Sequence, residues 1–370
     1  MLKTILDGRG KALYLVPLKS LAREKYIEFK KYESLGITTS MSVGDYDSPG
    51  RSLHDADIVI VTTERADSLV RHKAEWINDV GIIVADEVHL INDPKRGPTL
   101  EMVLAKLTQI IRDIQIVALS ATISNANQIA EWLGAELVRD TWRPVPLSEG
   151  VYLDGRISFY RDGKNTSRSI NRIRRDELAD VVCDTLDEKG QVLVFVSSRR
   201  STIAVAKKLA PFLRRYIPDD TLRQLSKGAA KIGRTPSAPE ASKTLARLIA
   251  NGAAFHHAGL DNQERALVED YFKENLLKVI VATPTLAAGV NLPSRRVIIR
   301  DYRRYEPDRG SYPIPILEYK QMAGRAGRPK YDDYREAVLI ARTEPELDFL
   351  IDNAEISEKR NTPSKGGKNK

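Results

Sequence analysis

The sequence predicts an α/β protein of two domains, each built on a largely parallel sheet with helices on both faces. Short apolar runs alternate with amphipathic helical stretches in both halves of the chain. Pro144 and Pro146 interrupt this alternation between the halves. Parallel strands need crossover connections, so the alternation favours helices that cover both faces of each sheet. With 370 residues, 42% of them hydrophobic, the chain is large enough for two cores.

The predicted strands, loops and boundaries follow from the same pattern. Strands are expected at residues 12–16, 57–61, 82–85 and 115–119, and then at 192–196, 279–282, 296–300 and 337–340. The polar stretches Arg161 to Ser169 and Gly228 to Pro239 are predicted to be loops. The loss of periodicity near Thr141 gives a first domain over 1–143, a second over 144–345, and a short helix with a basic disordered tail over 346–370.

Composition and charge indicate the kind of binding partner, the absence of disulfides within the chain and the expected cellular location. The net charge of +8 favours a polyanionic partner, although part of the excess lies in the tail after Lys359. The single cysteine, Cys183, excludes an intramolecular disulfide framework and is predicted to be a helix core residue. The sequence shows neither a signal-peptide pattern nor an apolar run of about 18 residues, so a cytoplasmic location is expected.

Two carboxylates end one of the predicted strands. Asp86 and Glu87 follow the apolar run Gly81 to Ala85, which delivers them to the carboxyl edge of the sheet, where nucleotides bind in open α/β folds. Asp86 is the candidate ligand for Mg²⁺, which takes one or two carboxylates together with substrate phosphates. Glu87 is the candidate for orienting or deprotonating water, and His89 for sensing the neighbouring domain. Taken alone, such a pair is more often a helix cap.

A glycine-rich segment near the end of the chain supplies candidate phosphate ligands. Arg325 and Arg328 lie three residues apart, a spacing that on a helix places both guanidiniums on one face, suited to clamping a γ-phosphate. An arginine pair is usually a solvated surface. The functional interpretation therefore depends on the ordered series of segments to which this one belongs.

In that order the segments resemble the superfamily 2 DExH helicases, within them the Ski-like branch, and most closely the archaeal replication-fork DNA helicases. The resemblance extends from about Lys11 to about Arg342. Residues 17–22, 62–65, 86–89, 120–122, 194–200, 255–260, 283–293 and 321–328 are similar to motifs Ia, Ib, II, III, IV, IVa, V and VI. The segments 255–260 and 319–329 are specific to this branch.

The resemblance implies two RecA-like domains, ATP and Mg²⁺ bound between them, and single-stranded nucleic acid across both. It assigns catalytic roles to Asp86, Glu87, His89, Gln321, Arg325 and Arg328, and nucleotide contacts to Asp86, Glu87, Gly289, Arg325 and Arg328. It assigns nucleic-acid contacts to Pro17, Lys19, Ser20, Thr62, Thr63, Arg65, Ser197, Arg199, His257 and Thr283. Of His256 and His257, one is expected in the core and the other facing the strand; Asp261 and Glu264 have the spacing of a capping box.

Residues Arg300 to Pro313 are predicted to form a hairpin with a Pro-Asp-Arg-Gly turn. In the resembling helicases a hairpin at this place splits the duplex. Tyr305, Arg309 and Tyr312 are therefore the candidate strand-separation residues, with both tyrosines stacking on the terminal base pair. A surface hairpin without that role is the alternative.

Motif I is absent, because no Gly-x-x-x-x-Gly-Lys-Ser/Thr precedes Asp86. The segments around Lys11, Lys243 and Lys368 each lack part of that pattern. We therefore expect Met1 to be an internal methionine in a helix that follows the P-loop. The winged-helix and ratchet domains of the fork helicases are likewise expected to be missing.

The leading hypothesis is a fragment of an ATP-dependent DNA helicase in repair or fork processing, inactive alone because it lacks the P-loop. The 3′ to 5′ polarity and the preference for single-stranded or forked DNA come from the resemblance only. A non-catalytic nucleic-acid-binding remnant or scaffold stays open. So does an RNA helicase of the same branch, since phosphate contacts distinguish sugars poorly. An upstream fragment that supplies the P-loop in trans is a further possible partner.

Overall fold

The computed structural model describes residues 1–44, 53–120, 123, 125–140, 146–161, 164–172, 176–232, 239–289, 292–306, 308, 310–327 and 335–361. It divides the chain into two compact units, Met1–Asp140 and Thr141–Lys370. Each unit has helices packed on a sheet that is wholly or mainly parallel, which confirms the predicted α/β fold class.

The first unit contains a five-stranded parallel sheet. Its strands are β1 (Lys11–Val16), β2 (Thr39–Ser42), β3 (Ile58–Thr62), β4 (Val80–Ala85) and β5 (Gln115–Ala118). Its helices are α1 (Leu2–Leu6), α2 (Lys19–Lys30), α3 (Thr63–Arg71), α4 (Gly97–Ile110) and α5 (Ala126–Leu133), with short 3₁₀ helices at Lys31–Leu35, Leu53–Asp55, Glu75–Asp79 and Val88–Asn92. The strand order is β2-β3-β1-β4-β5. β2 escaped prediction because Thr-Ser-Met-Ser is polar, although all four residues are buried.

Alternate residues of β1 face two separate cores in this unit. Leu13 and Leu15 belong to one core, with side chains of α3 and α4. Tyr14 and Val16 belong to the other, with Phe29 of α2. Because a strand buried on both faces reads as a continuous apolar run, four of the five strands were predictable from composition.

The second unit contains an eight-stranded mixed sheet and a separate hairpin. Its strands are β6 (Leu147–Leu153), β7 (Arg156–Arg161), β8 (Lys164–Ser169), β9 (Val192–Phe195), β10 (Ala253–His256), β11 (Val279–Ala282), β12 (Arg296–Ile299), β13 (Arg303–Glu306), β14 (Gly310–Pro313) and β15 (Arg335–Ile340). Its helices are α6 (Glu177–Asp187), α7 (Arg199–Leu213), α8 (Asp219–Ile232), α9 (Glu240–Ile249), α10 (Asn262–Lys273), α11 (Thr285–Gly289), α12 (Ile316–Ala323) and α13 (Glu344–Asn361), with a 3₁₀ helix at Arg214–Tyr216. The sheet order is β10-β11-β9-β12-β15-β6-β7-β8. In the described part of this sheet, β7 pairs antiparallel with β6 and β8, and the other neighbouring strands pair parallel.

Both predicted loops are corrected by this unit. Residues 161–169 contain the end of β7 and all of β8, an edge strand, where polar side chains are well tolerated. The predicted loop from Gly228 begins inside α8, which continues to Ile232. Gly228 packs against the ring of Tyr271, with which a Cβ at this position would collide. Residues 233–238 lie outside the described part of the chain.

The structure also bears on the predictions for Cys183, the last helix and the division of the chain. Cys183 is fully buried in α6, which confirms its assignment to the core. The helix expected after residue 345 begins at Glu344 and extends to Asn361. The units divide after Asp140, a few residues before the boundary expected at 143. Among the described residues, no helix combines the length and the apolar character needed to cross a membrane.

Candidate nucleotide and nucleic-acid sites

Asp86 lies at the carboxyl edge of the first sheet, directly after β4. Its amide donates to the carbonyl of Leu15 at 2.9 Å, which ties it to the end of β1. The Tyr14 hydroxyl donates to Asp86 Oδ2 at 2.9 Å, and the Glu87 amide donates to Oδ1 at 3.0 Å. Each carboxylate oxygen therefore accepts from a donor within the described residues, and these two bonds orient the group.

Tyr14 is a partner that sequence reasoning missed. Burial and the charge of Asp86 raise the pKa of the Tyr14 hydroxyl far above its ordinary value, so it stays protonated and acts as a donor. The available signal was a lone hydroxyl in the otherwise aliphatic centre of β1, one strand away from β4. Its contact orients the carboxylate of Asp86.

Glu87 and His89 form a second contact chain at the same edge. Glu87 has a φ of 53°, the left-handed region that costs a non-glycine residue about 1 kcal/mol or more. His89 Nδ1 lies 3.2 Å from Glu87 Oε2 and 3.5 Å from Ser120 Oγ. Burial lowers the pKa of His89, opposed in part by Asp86, so the ring is neutral near pH 7. A strained backbone turn thus places Glu87 against a neutral imidazole.

The acidic pair fits a magnesium ion that arrives with a nucleotide. Among the described residues, no group of three or more His, Cys, Asp or Glu gathers into a stand-alone metal site. Mg²⁺ usually keeps several waters and binds through one or two carboxylates together with phosphates. The half-buried Asp86, whose carboxylate is already oriented, matches that donor set, with Glu87 as its neighbour.

An open groove of about 420 Å³ in the first unit collects part of the predicted nucleic-acid set. Its lining includes the predicted residues Pro17, Lys19, Thr62 and Arg65. Ser20 and Thr63 are not among the lining residues, and Thr63 is buried. Arg96, which lies outside every motif segment, also lines the groove. The structure thus unites two motifs that are more than forty residues apart in the sequence.

Strand pairing explains why these residues meet. β1 and β3 are parallel neighbours in which Val16 pairs with Thr62, so α2 and α3 begin side by side. Thr62 is the N-cap of α3 and accepts from the Arg65 amide at 3.4 Å, which is also the ordinary structural role of such a hydroxyl. Arg65 Nε donates to Ser42 Oγ, at the end of β2, at 2.8 Å. The arginine is therefore oriented by the neighbouring strand.

The second unit places its predicted residues at the carboxyl ends of neighbouring parallel strands. Ser197 donates from its amide and its hydroxyl to Asp301 Oδ2, at 3.0 and 3.1 Å. Arg199 begins α7 and is exposed, whereas Thr283 is buried with its Oγ1 3.0 Å from Thr285 Oγ1. Asp301, which sequence reasoning did not single out, holds Ser197 in place.

The paired histidines are both buried. His256 Nε2 lies 3.1 Å from Glu269 Oε1, whereas its buried Nδ1 has no hydrogen-bond partner among the described residues. His257 is 6% exposed, stacks on Phe255 and accepts from the Gly259 amide at 3.1 Å. Burial, aided by Arg199, lowers its pKa. Both rings are therefore buried, and the nucleic-acid contact of His257 stays a prediction. The predicted capping box at the start of α10 is confirmed.

Arg325 lies beyond the helix that carries Gln321. α12 ends at Ala323, and the chain then turns, with Gly327 at a φ of 93°. The predicted helical face for the arginine pair is therefore wrong, since the glycines of this segment end the helix. Arg325 Nε donates to the carbonyl of Ala287 at 2.8 Å, within α11, the helix that ends at Gly289. Arg328 lies outside the described residues.

The predicted hairpin is confirmed as β13 and β14. Tyr305 pairs with Ser311, and Arg304 pairs with Tyr312. Tyr305 is 74% exposed, whereas the half-buried Tyr312 donates its hydroxyl to Glu306. Arg304 Nη2 lies 2.6 and 2.8 Å from the two carboxylate oxygens of Glu318 on α12, which ties the hairpin to that helix. Arg309 lies outside the described residues.

Comparison with known proteins gives these sites a context. Residues 1–129 match the DEAD/DEAH box helicase family, and residues 235–330 match the helicase conserved C-terminal domain. The chain is 49% identical over 358 residues to the ATP-dependent DNA helicase Hel308 of Methanocella arvoryzae, and 47% identical over 354 residues to that of Pyrobaculum calidifontis. Each alignment covers 95% of this chain and 48% of the relative. The chain thus spans about half the length of these relatives.

Proposed function

Because the chain belongs to the family of ATP-dependent helicases with two RecA-like domains, we propose that it unwinds DNA with the energy of ATP. The observation that carries the proposal is the oriented pair Asp86 and Glu87, in the same unit as the groove that collects two predicted nucleic-acid motifs. The alignments with the two DNA helicases cover 95% of this chain, which supports DNA over RNA as the substrate. The 3′ to 5′ polarity and membership of the Ski-like branch belong to the same proposal.

In the proposed hydrolysis of ATP, Asp86 is the ligand for the metal and Glu87 is the residue that acts on the water. Asp86 would hold Mg²⁺, which would neutralise phosphate charge. Glu87 orients the attacking water and accepts its proton, while neutral His89 donates to Glu87 Oε2 and holds that carboxylate in position. Ser120, within reach of the same imidazole nitrogen, connects this group to the end of β5.

The second unit supplies the phosphate-binding groups in this proposal. We assign nucleotide contacts to Gly289, Arg325 and Arg328, and catalytic roles to Gln321, Arg325 and Arg328. The Arg325 guanidinium on the carbonyl of Ala287 gives it a defined position next to α11. An arginine that stabilises the transferring phosphoryl group contributes about 10³- to 10⁵-fold in rate.

DNA binding is proposed to depend on phosphate contacts rather than base contacts. Such contacts position a strand without reading its sequence. The first unit contributes Pro17, Lys19, Ser20, Thr62, Thr63 and Arg65, and the second contributes Ser197, Arg199, His257 and Thr283. The exposed Tyr305 is proposed to stack at the junction of a fork.

ATP turnover requires a P-loop, because its amides and lysine hold the β- and γ-phosphates. We propose that the 370 residues need such a segment, either joined to them or supplied by a separate fragment. The absence of the Gly-x-x-x-x-Gly-Lys-Ser/Thr pattern also favours a second candidate function, a DNA-binding protein without turnover.

The two candidates are separated by adding a P-loop. A chain that carries a family P-loop segment before Met1 is expected to hydrolyse ATP faster with single-stranded DNA, and the Glu87→Gln variant of that chain to lose the stimulation. Phosphate release with and without an oligonucleotide measures this. Tight DNA binding without any stimulated turnover would instead support the non-catalytic candidate.

A further inference from the structure

Arg96 brings a third cation to the groove of the first unit. The charged lining residues are Lys19, Arg65 and Arg96, opposed by one carboxylate, Glu64. Arg96 is exposed and lies between the acidic segment at Asp86 and the start of α4, outside every motif segment of the sequence. A groove with this charge balance suits a polyanion such as a phosphodiester strand.

A local turn holds Arg96 at this position. Asp93 Oδ1 accepts from the amides of Lys95 and Arg96, at 2.8 and 2.9 Å. Arg96 then serves as the N-cap residue of α4. Gly97 packs so closely on the carbonyl of Ile91 that any Cβ there would collide with it. The backbone that carries Arg96 is therefore tied on both sides.

A 3₁₀ helix connects Glu87 to the turn at Asp93. Glu87 is the N-cap of the 3₁₀ helix Val88–Asn92, and Asp93 is its C-cap. His89, inside that helix, contacts Glu87 Oε2. A single short segment thus connects Glu87 with Arg96, which lines the groove.

We propose that Arg96 contacts a phosphate of the bound single strand and that Asp93 positions it. The proposal rests on the proposed function, since it takes the groove as a DNA path. A planar guanidinium suits a phosphate because it offers two parallel N–H donors. The contact is independent of sequence, so it adds affinity and salt dependence without base preference.

The test measures the salt dependence of DNA binding. A fluorescently labelled oligothymidine is titrated with the 370-residue chain at several salt concentrations, and anisotropy gives the slope of log K against log salt. Loss of one phosphate contact on a single strand reduces that slope by about 0.7. We expect this reduction for Arg96→Ala and for Lys19→Ala, whereas Arg112→Ala, an exposed arginine outside the groove, keeps the wild-type slope.

Asp93 variants test positioning rather than charge. Asp93→Asn keeps an oxygen that accepts from the two amides, so we expect a slope near that of wild type. Asp93→Ala removes the acceptor and is expected to lower the slope toward that of Arg96→Ala. If both variants bind like wild type while Arg96→Ala does not, the positioning role is wrong.

The remaining outcomes separate this proposal from the proposed function. If wild-type affinity falls with salt, and Arg96→Ala gives the same slope of log K against log salt as Arg112→Ala, then Arg96 does not contact the strand. That result would overturn the proposal. If the wild-type chain does not bind the oligonucleotide at any salt concentration, the groove is not a DNA path and both fail. Circular dichroism of each variant checks that the folded chain is being compared.

Discussion

Tyr305 and Tyr312 lie on opposite faces of one hairpin. Residues that pair directly across an antiparallel ladder share a face, and neighbours along a strand alternate. Tyr305 pairs with Ser311, so Tyr312, the next residue, points the other way. The face of Tyr312 also carries Arg304, which is bound to Glu318 on α12. This corrects the expectation that both rings stack on one base pair, and leaves Tyr305 as the candidate for stacking.

We predict that Tyr305→Ala weakens binding to forked DNA about tenfold, while binding to single strands changes little. Base–aromatic stacking contributes about 1 to 3 kcal/mol per base. Tyr312→Phe serves as the control, because it keeps the ring and removes only the hydrogen bond to Glu306. Anisotropy with forked and single-stranded oligonucleotides measures both. An equal effect of the two variants would make the hairpin a structural element.

For ATP turnover, we predict that the 370-residue chain hydrolyses ATP no faster than its Glu87→Gln variant. Without P-loop amides and lysine, the triphosphate is not held in line with the attacking water. Phosphate release is measured with and without single-stranded DNA. DNA-stimulated turnover that disappears in Glu87→Gln would show that the chain holds the phosphates in another way.

Tyr14→Phe should lower the free energy of unfolding by about 1 kcal/mol. The substitution removes the donor to Asp86 Oδ2 and leaves a half-buried carboxylate oxygen that water partly resolvates. Urea unfolding followed by circular dichroism measures the change. Tyr26→Phe, on a half-buried tyrosine of α2, provides the matched control and should have a smaller effect. Equal stability of all three proteins would show that the Asp86 contact contributes nothing.

His89 should make the first unit less stable as the pH falls. Burial lowers the pKa of His89 in the folded protein, while the unfolded chain binds a proton near pH 6.5. Below that pH the unfolded state takes up more protons, so the free energy of unfolding decreases, by at most about 1.4 kcal/mol per pH unit. The contribution is complete above about pH 6.5 and is lost toward the lowered pKa.

Urea unfolding at pH 7.5, 6.5 and 5.5 tests this dependence. His89→Asn cannot take up the proton, so its stability should fall less over this range than that of wild type. His72→Asn changes an exposed histidine and should follow wild type. The same pH dependence in all three proteins would assign the effect to other groups.

The sequence by itself determined most of the strands that are continuous aliphatic or aromatic runs. β9 and β11 are runs such as Val-Leu-Val-Phe and Val-Ile-Val-Ala, and burial on both sides leaves no polar positions to obscure the pattern. Five strands, β2, β6, β7, β8 and β10, were not predicted, because their place depends on strands elsewhere in the chain. Short-range signals, such as the capping box at Asp261, were also readable, since three residues contain the whole interaction.

Only the tertiary structure decided which side chains meet. The apolar run before Asp86 and Glu87 predicted them at a sheet edge. It did not predict that Tyr14 orients Asp86, because that contact depends on the pairing of β1 with β4. The groove likewise depends on β1 lying beside β3, and it added Arg96, which carries no motif signal. Crossover connections and strand register are set by packing over long sequence distances, which local patterns do not encode.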